Sequence, residues 1–594
     1  MLFGNNVNRY YIKYMPWLLL GIAALIVVDW LQLRIPEMYR LVVNGINYGE
    51  VEFNGARVPF DMDFLLQNVC LPMIFIILAM VLCRFLWRIC FFGTGIKVET
   101  DLRSRMFDVC KDLSQEYYQH NKVGGLMSLF TNDLETVHDC FGSGVLMFAD
   151  ALFLGGMALF KMGGMSIPLT LLSMAPMLLL LCAGIILGRY MAKKWQKRQE
   201  AFSSLSDFSQ ESFAGIAVIK AFVKEAKELS AFRKLNKENE KANVEFTRLS
   251  VALNVSVTLF VESVVCIILG YGGYLVWSGV FDAGQLIEFI SYFTATVWPI
   301  MAVAQLIDMR SRGRASYERI SELLDSVPDV ADKEGVEDPG ALSGGIEFRH
   351  LTFRYPGTER DVLSDVSFVI DPGENVGIVG RTGAGKTTLV DLILRTYNVP
   401  DGTLFVDGHD VNTIPIESVR RNAAYVPQDN FLFSDTIESN IAFASDSSDP
   451  ELVSRAAALS DIDGNIKEFP DGYGTVLGER GVTVSGGQKQ RISIARAVMK
   501  DAPILILDDS VSAVDVETEK HILENLKSIR AGRTTILIAH RVSTIERMDK
   551  LIFLSNGRVE AVGTPARLYE ECPEYRHMVD LQKLDELDAG KGGD

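Results

Sequence analysis

The first 310 or so residues hold six long apolar stretches, separated by polar links of very unequal length. They run roughly Pro16–Leu33, Leu65–Phe91, Val145–Gly163, Ile167–Leu187, Val251–Val280 and Leu286–Ile307. Each is near the ~20 residues that a bilayer-spanning helix needs. The links after the third and fifth stretches are a few residues long. Those after the second (about 94–138) and fourth (about 188–250) are long, polar and free of proline. Within the latter, "SQESFAGIAVIKAFVKEAKELSAF" repeats apolar residues at three- and four-residue spacing, a helical period. Each long link therefore predicts helices that leave the membrane, turn and come back. Thirteen Lys or Arg lie between Arg189 and Arg248, and none in "SGVFDAG" before the sixth stretch. Basic residues mark the cytoplasmic side, so the long links and both termini are expected there, with the chain in the plasma membrane of a bacterial cell.

Hydropathy falls after about Arg314. "SVPDVADKEGVEDPGALSGG", rich in Pro, Gly and acid, reads as a linker. From Ile346 the pattern becomes short apolar strands alternating with helices, the signature of an α/β domain. The expected organisation is a six-helix, all-α membrane domain over 1–325, a linker over 326–345, an α/β domain over 346–580 and an acidic flexible tail over 581–594.

Composition sharpens this division. The chain is 48 % hydrophobic yet 22 % charged, with a mean hydropathy of +0.17, which fits one half in lipid and one in water. A formal net charge of −17 argues against nucleic acid as a partner. The eight cysteines are scattered, mostly in apolar runs, without metal-ligand spacing, and read as small buried hydrophobes. No small-residue cleavage site follows the first apolar run, so a cleaved signal is not expected.

The chemistry concentrates in "NVGIVGRTGAGKTTLVDLIL". Asn375–Val379 is a short apolar strand. Gly380-Arg381-Thr382-Gly383-Ala384-Gly385-Lys386-Thr387 fits GxxxxGK[ST] in full, Thr388 follows, and Leu389–Leu394 reads as helix. Glycines let backbone N–H groups wrap phosphates, and the helix N-terminus adds positive potential. Lys386 is expected on the β and γ phosphates of ATP, and the Thr387 hydroxyl on Mg²⁺. In "APILILDDS", Ile504–Leu507 is apolar on both faces, as in a buried parallel strand, and Asp508 at its end is expected to hold the metal through water. "VSGGQKQRISIARAV" sets Ser485, Gly486, Gly487 and Gln488 just before a helix. One nucleotide does not need this second anion-binding turn, but two facing domains would, each capping the other's ATP. "RTTILIAHR" ends a strand at His540, placed to sense a γ-phosphate, and "AYVPQDNFLF" presents Gln428 after another.

Taken in order, these motifs, with "SAVD" (Ser512–Asp515), resemble the nucleotide-binding domain of ATP-binding cassette (ABC) proteins over about 346–580. The six preceding spans resemble the exporter branch. The resemblance implies that Tyr355 of "FRYPG" stacks on adenine, that Gln428 contacts Mg²⁺ and water, and that "LGERG" (Leu477–Gly481) lies near the transmembrane contact. It likewise implies that Glu211 and Gly215 of the second long link, and Gly124–Val137 of the first, meet a nucleotide domain.

One position departs from the family's pattern. The usual residue after the metal aspartate is glutamate, which polarises the attacking water; here it is Asp509. One methylene less leaves the carboxylate roughly 1–1.5 Å short, and about 1 Å of misplacement can cost on the order of 10²-fold in rate. The SGGQ turn itself is intact, with only Val484 departing from the usual leucine. The combination resembles one member of heterodimeric exporters with a degenerate ATP site, whose SGGQ turn completes the partner's active site. A homodimer with slow hydrolysis, and a regulatory ATP-binding subunit that transports nothing, are the alternatives. The six spans exclude a soluble ABC ATPase. Fusion of the membrane and nucleotide parts disfavours an importer, and the short N-terminus disfavours a leader peptidase.

Intramembrane ionisable residues are functional candidates. Asp29, Asp150, Glu262, Glu288, Arg84 and Arg88 lie in or at the ends of the spans. Asp29 and Glu262 are the candidates for substrate contact; acids facing a cavity would suit cationic amphiphiles.

Overall fold

The computed structural model describes residues 4–591 apart from Asp446, Glu479, Arg480, Val482 and His540, with the side chains at 180–189, 304, 542–543 and 584–591 also outside the description. The chain divides into two compact units: Met1–Lys111 with Val123–Ser326, and Asp112–Lys122 with Val327–Asp594.

The first unit is built from long helices. Met15–Gln32 forms the first span, and Ile35–Tyr48 continues after a short break. Leu71–Asp112, 42 residues, runs from the second span straight into the first long link. Val145–Met165 is the third span. Ile167–Ala214, Glu225–Trp277 and Ala283–Leu324, of 48, 53 and 42 residues, complete the set. Five helical segments among the described residues are long and apolar enough to cross a membrane; in the fourth expected span only Ile167–Leu179 has side chains to judge by. Proline lies inside two of these helices, at Pro176 and Pro299. Gly155 faces the second: a Cβ there would stand 3.1 Å from Pro299 Cβ, so the third and sixth spans cross closely.

The sequence pattern missed a β-hairpin between the first two spans, β1 (Glu50–Phe53) against β2 (Ala56–Pro59). Its turn is Asn54-Gly55, with φ of 51° and 79°, the primed-turn geometry that such a dipeptide favours. Val51 packs with Leu41, Phe64 and Val69, which seats the hairpin on the Ile35–Tyr48 helix. The second long link turns at Gly215, whose N–H reaches Glu211 O at 2.8 Å, then forms Ile216–Ala221 and returns. In the first long link, the segment grouped with the second unit is 112–122, containing helix Gln115–His120. It lies upstream of Gly124–Val137, which stays with the membrane helices: Asp133 is buried and accepts from Ser316 Oγ at 2.7 Å and from Arg319.

The second unit carries the expected α/β domain. Its antiparallel sheet has β3 (Ile346–Phe353), β4 (Leu363–Ile370), β6 (Leu404–Val406) and β7 (His409–Asp410), and its larger sheet has β5 (Asn375–Gly380), β8 (Ala423–Val426), β9 (Ile504–Asp508), β10 (Thr534–Ile538), β11 (Lys550–Ser555) and β12 (Arg558–Gly563). The larger sheet is ordered β12-β11-β5-β10-β9-β8, parallel except for β12. β9 and β10 are buried at every position, as their unbroken apolar runs require. The linker is strapped down over this unit: Asp332 accepts from Ile416 N at 2.8 Å and Asp338 from Ser418 Oγ at 2.9 Å, while Leu342 enters the core. The helix Pro573–Lys591 runs on into the tail that begins at 581.

Candidate functional site

The register of the parallel strands assembles the site. Ile538 of β10 pairs with Asp508 of β9 on one side and Ile378 of β5 on the other. The carboxyl ends of three neighbouring strands are therefore level, and an open α/β sheet binds its ligand outside such ends. The glycine-rich loop leaves β5 two residues later, Asp508 terminates β9, and Gln428 follows β8 by two residues, exposed. His540, two residues past β10, lies outside the described residues.

The loop needs its glycines. A Cβ on Gly380 would stand 2.3 Å from Leu554 O, and Gly385, with φ of 97°, starts the Lys386–Ile393 helix from the left-handed region that glycine enters freely. Lys386 is buried and donates to Gly380 O at 2.8 Å and Arg381 O at 3.1 Å. Its ammonium is thus held inside the loop where phosphate oxygens would lie. Burial holds the Lys386 ammonium below its ordinary range, and Asp508 and Asp509 pull it back up. Thr388, on the same helix turn, is bonded to the Tyr355 hydroxyl at 2.9 Å. Tyr355 also packs edge-on against Phe353 and Tyr397, at 5.2 and 5.1 Å between ring centres, which fixes its ring beside the loop.

Asp508 is 1 % exposed, and its Oδ2 meets no donor. Burial pushes its carboxyl up; bonds from Thr387 and Tyr425 and the charge of Lys386 oppose this, and Asp509 adds to it. A buried carboxylate oxygen without a donor, next to a threonine hydroxyl, is a donor set for a hard divalent cation that keeps several waters. Among the described residues no three His, Cys, Asp or Glu cluster as a self-sufficient metal cage.

Asp509 is half-buried and sits at φ 46°, a conformation that Asp tolerates better than most residues. Its N–H bonds to Ile538 O at 2.9 Å, and its carbonyl accepts from Ser512 Oγ at 2.9 Å. The SGGQ turn is a capping box: Ser485 Oγ accepts from Gln488 N at 3.3 Å, and Gln488 Oε1 accepts from Ser485 N at 2.9 Å. Ser485 and Gly486 are exposed at the start of the Gly486–Met499 helix, free to meet an anion on another chain. Of "LGERG", Leu477 is buried, while Glu479 and Arg480 lie outside the described residues.

Two connecting groups escaped the sequence reading. Gln490 is buried and bridges the SGGQ helix to the segment after Asp508, donating to Asp509 O at 3.4 Å and accepting from Ala513 N at 3.1 Å. Glu519 is buried and accepts from Thr544 and, at 2.9 Å, from Arg541, which follows His540.

In the membrane unit, Asp29 is buried and lines a cavity with Asp150, Arg84 and Arg88. Glu262 is exposed on the Glu225–Trp277 helix and does not join them. Glu288 is buried elsewhere, with Tyr292 and Arg40.

The sequence matches two families, one described as the ABC transporter transmembrane region, over residues 18–300, and one described as ABC transporter, over 363–512. It is 32 % identical over 593 residues to the probable multidrug resistance ABC transporter ATP-binding/permease protein YheI of Bacillus subtilis, covering 99 % of this chain and 98 % of that one. It is 34 % identical to the multidrug resistance-like ATP-binding protein MdlA of Escherichia coli, covering 95 % and 94 %. An ATP-dependent lipid A-core flippase of Syntrophus aciditrophicus is 32 % identical, covering 87 % and 86 %. A solved bacterial Atm1-family ABC exporter with ATP bound superposes with a TM-score of 0.76 at 25 % identity, covering 97 % of this chain and all of that one.

Proposed function

This chain belongs to the ABC transporter family, as a half-transporter that fuses a membrane domain to an ATP-binding domain, and we propose that it is one subunit of an ATP-driven exporter moving drugs, lipids or other amphiphiles out of the cytoplasm. Relatives named for multidrug resistance and for lipid A-core flipping support that substrate range. The density of Lys and Arg in the long links supports a plasma-membrane protein with both termini in the cytoplasm. The functional boundaries follow the sequence: membrane domain to 325, linker to 345, ATP-binding domain from 346 to 580.

In this reading the loop from Gly380 to Thr387 wraps the ATP phosphates with backbone N–H groups, and Lys386 exchanges its two loop carbonyls for phosphate oxygens. Tyr355 offers its ring to adenine. Thr387, Asp508 and Gln428 hold Mg²⁺, which when bound neutralises phosphate charge. Asp509 and His540 face the γ-phosphate. The SGGQ turn caps the nucleotide of a second half-transporter.

The observation that carries the finer reading is Asp509 itself. Its carboxylate is one carbon shorter than the water-polarising glutamate, on a backbone held by the Ile538 bond. The chain therefore hydrolyses ATP slowly at its own site and works as the degenerate-site member of a heterodimer. Purified alone and with a second half-transporter that carries glutamate at this position, the pair should hydrolyse ATP at least tenfold faster than this chain alone. Fast hydrolysis by a homodimer, abolished by Asp509→Asn, would exclude the heterodimer and leave a homodimeric exporter.

A further inference from the structure

Five helices of the membrane unit, Met15–Gln32, Ile35–Tyr48, Leu71–Asp112, Val145–Met165 and Ala283–Leu324, line an open cavity of about 550 Å³. That volume is within the range of small-molecule sites. Two carboxyls share its wall. Asp29 is 1 % exposed, and its Oδ2 meets no donor. Asp150, from the third span, is in side-chain hydrogen-bond contact with Asp29 and accepts from Trp298 Nε1 at 2.6 Å. Two carboxyls so close are costly to ionise together; the Arg84 charge reaches both from the cavity wall, and a proton shared between them supplies the remaining relief.

The positive groups facing this pair come from one element and are turned to other partners. Arg84 donates to Gln32 Oε1 at 3.3 Å, and the Arg88 guanidinium lies 5.5 Å from the Trp87 ring centre. Both arginines are exposed, whereas Asp29 is fully enclosed. The deepest part of the cavity is therefore acidic and holds an unsatisfied carboxylate oxygen. Trp87 and Trp298 line the same space and offer aromatic faces that attract cations. A buried charge without a partner is costly, so the site is built for a ligand that brings positive charge on an apolar body.

We propose that the Asp29–Asp150 pair receives the cationic centre of an amphiphilic substrate, and that the shared proton leaves as the cation enters. The O–H bond between the carboxyls breaks, the proton passes to bulk water, and the pair, now carrying two negative charges, holds the cation. The net charge of the occupied site equals that of the protonated empty one. Cation and proton thus compete for the same two oxygens. This inference rests on the exporter reading above and supplies its substrate class.

Tetraphenylphosphonium is the probe, because it is a permanent cation without a proton of its own. Calorimetric titration of the full chain in lipid nanodiscs, in buffers of differing ionisation enthalpy, reads both affinity and proton release. Close to one proton should leave per cation bound, and affinity should weaken as pH falls from 8 to 5.5. Asp29→Asn and Asp150→Asn should each weaken binding by about 10- to 100-fold, as loss of a charged partner predicts, and should remove the proton release. The neutral triphenylphosphine oxide should bind both variants as it binds the parent. Trp298→Phe, which keeps both carboxyls, should cost only several-fold. Unchanged tetraphenylphosphonium affinity in the Asp29→Asn/Asp150→Asn double variant, or binding without proton release, overturns the inference. Vesicle uptake of a neutral fluorescent lipid tests the exporter reading separately: uptake without cation binding retires only the carboxyl site.

Discussion

Gln490 donates to the backbone carbonyl of Asp509 at 3.4 Å, so the helix behind the SGGQ turn is fastened to the residue that follows Asp508 at the end of β9. Through Ala513 N the same amide also fixes the "SAVD" turn. The SGGQ turn and the Asp509 backbone are therefore mechanically linked. Gln490→Leu keeps side-chain volume near constant and removes both bonds. It should lower steady-state ATP hydrolysis of the assembled transporter on the order of tenfold, by analogy with small catalytic misplacements. Equilibrium binding of ATP to the isolated chain should change less than threefold, because Lys386 and its loop are untouched.

Asp509→Glu restores the missing methylene. It should raise ATP turnover at this site, by up to about 10²-fold, in an assembly whose other site is silenced. The gain is opposed by the left-handed backbone, φ 46°, which glutamate accepts less readily than aspartate. On the heterodimer proposed above, Asp509→Asn should change turnover little. Phosphate-release kinetics on the two variants separate these outcomes.

Asp391, on the helix after the phosphate loop, is pushed up to about 6 by burial and by the neighbouring Asp508. The fold holds this proton more tightly than the unfolded chain does. Stability is then fully present below about pH 4 and is lost as pH rises through about 6. Asp391→Asn should raise the stability of the ATP-binding domain at pH 7.5 by about 1–3 kcal/mol and flatten the pH dependence between 4 and 6. Differential scanning fluorimetry of the full chain across that window reads both.

Glu288 is buried with Tyr292, whose hydroxyl donates to Oε1 at 2.9 Å, and Arg40 Nη1 stands 3.2 Å from Oε2 as an ion pair. Nearby, Gly284 N bonds to Asn44 Oδ1 at 2.9 Å. These contacts tie the Ile35–Tyr48 helix to the start of the last span. Glu288→Ala should destabilise the membrane unit by about 1–3 kcal/mol, and Tyr292→Phe by about 1 kcal/mol. Thermal midpoints in nanodiscs, with the larger fall for Glu288→Ala, check the order.

The spans and the phosphate loop were legible because each is a contiguous stretch: about 20 apolar residues for a bilayer crossing, eight residues for the loop from Gly380 to Thr387. Asp508 was legible as the polar end of an apolar strand. What the sequence hid depends on meetings between distant segments. Asp29 and Asp150 each stood out as intramembrane acids, but their contact arises from helix packing, and the same packing leaves Glu262 outside the cavity. Gln490 looked like any polar residue of an amphipathic helix until its partners were in place. The β1–β2 hairpin did carry a local signal, Asn54-Gly55 between Val51 and Val58, but its strands of four residues are too short to show a period. Within the first long link the helical period continues through 112–137, so the sequence alone did not set 112–122 apart from the residues that follow.

The Glu225–Trp277 helix is unbroken over 53 residues, which at ~1.5 Å per residue makes a rod of about 80 Å. A bilayer core occupies only about 30 Å of it. With its fulcrum in the lipid, about 5° of tilt sweeps the free end through roughly 4 Å, a simple lever with the α-helical rise as its ruler. Small, stiff rotations amid the apolar segments are thus geared up to atomic-scale strokes in the water, and no joint need bend along the way.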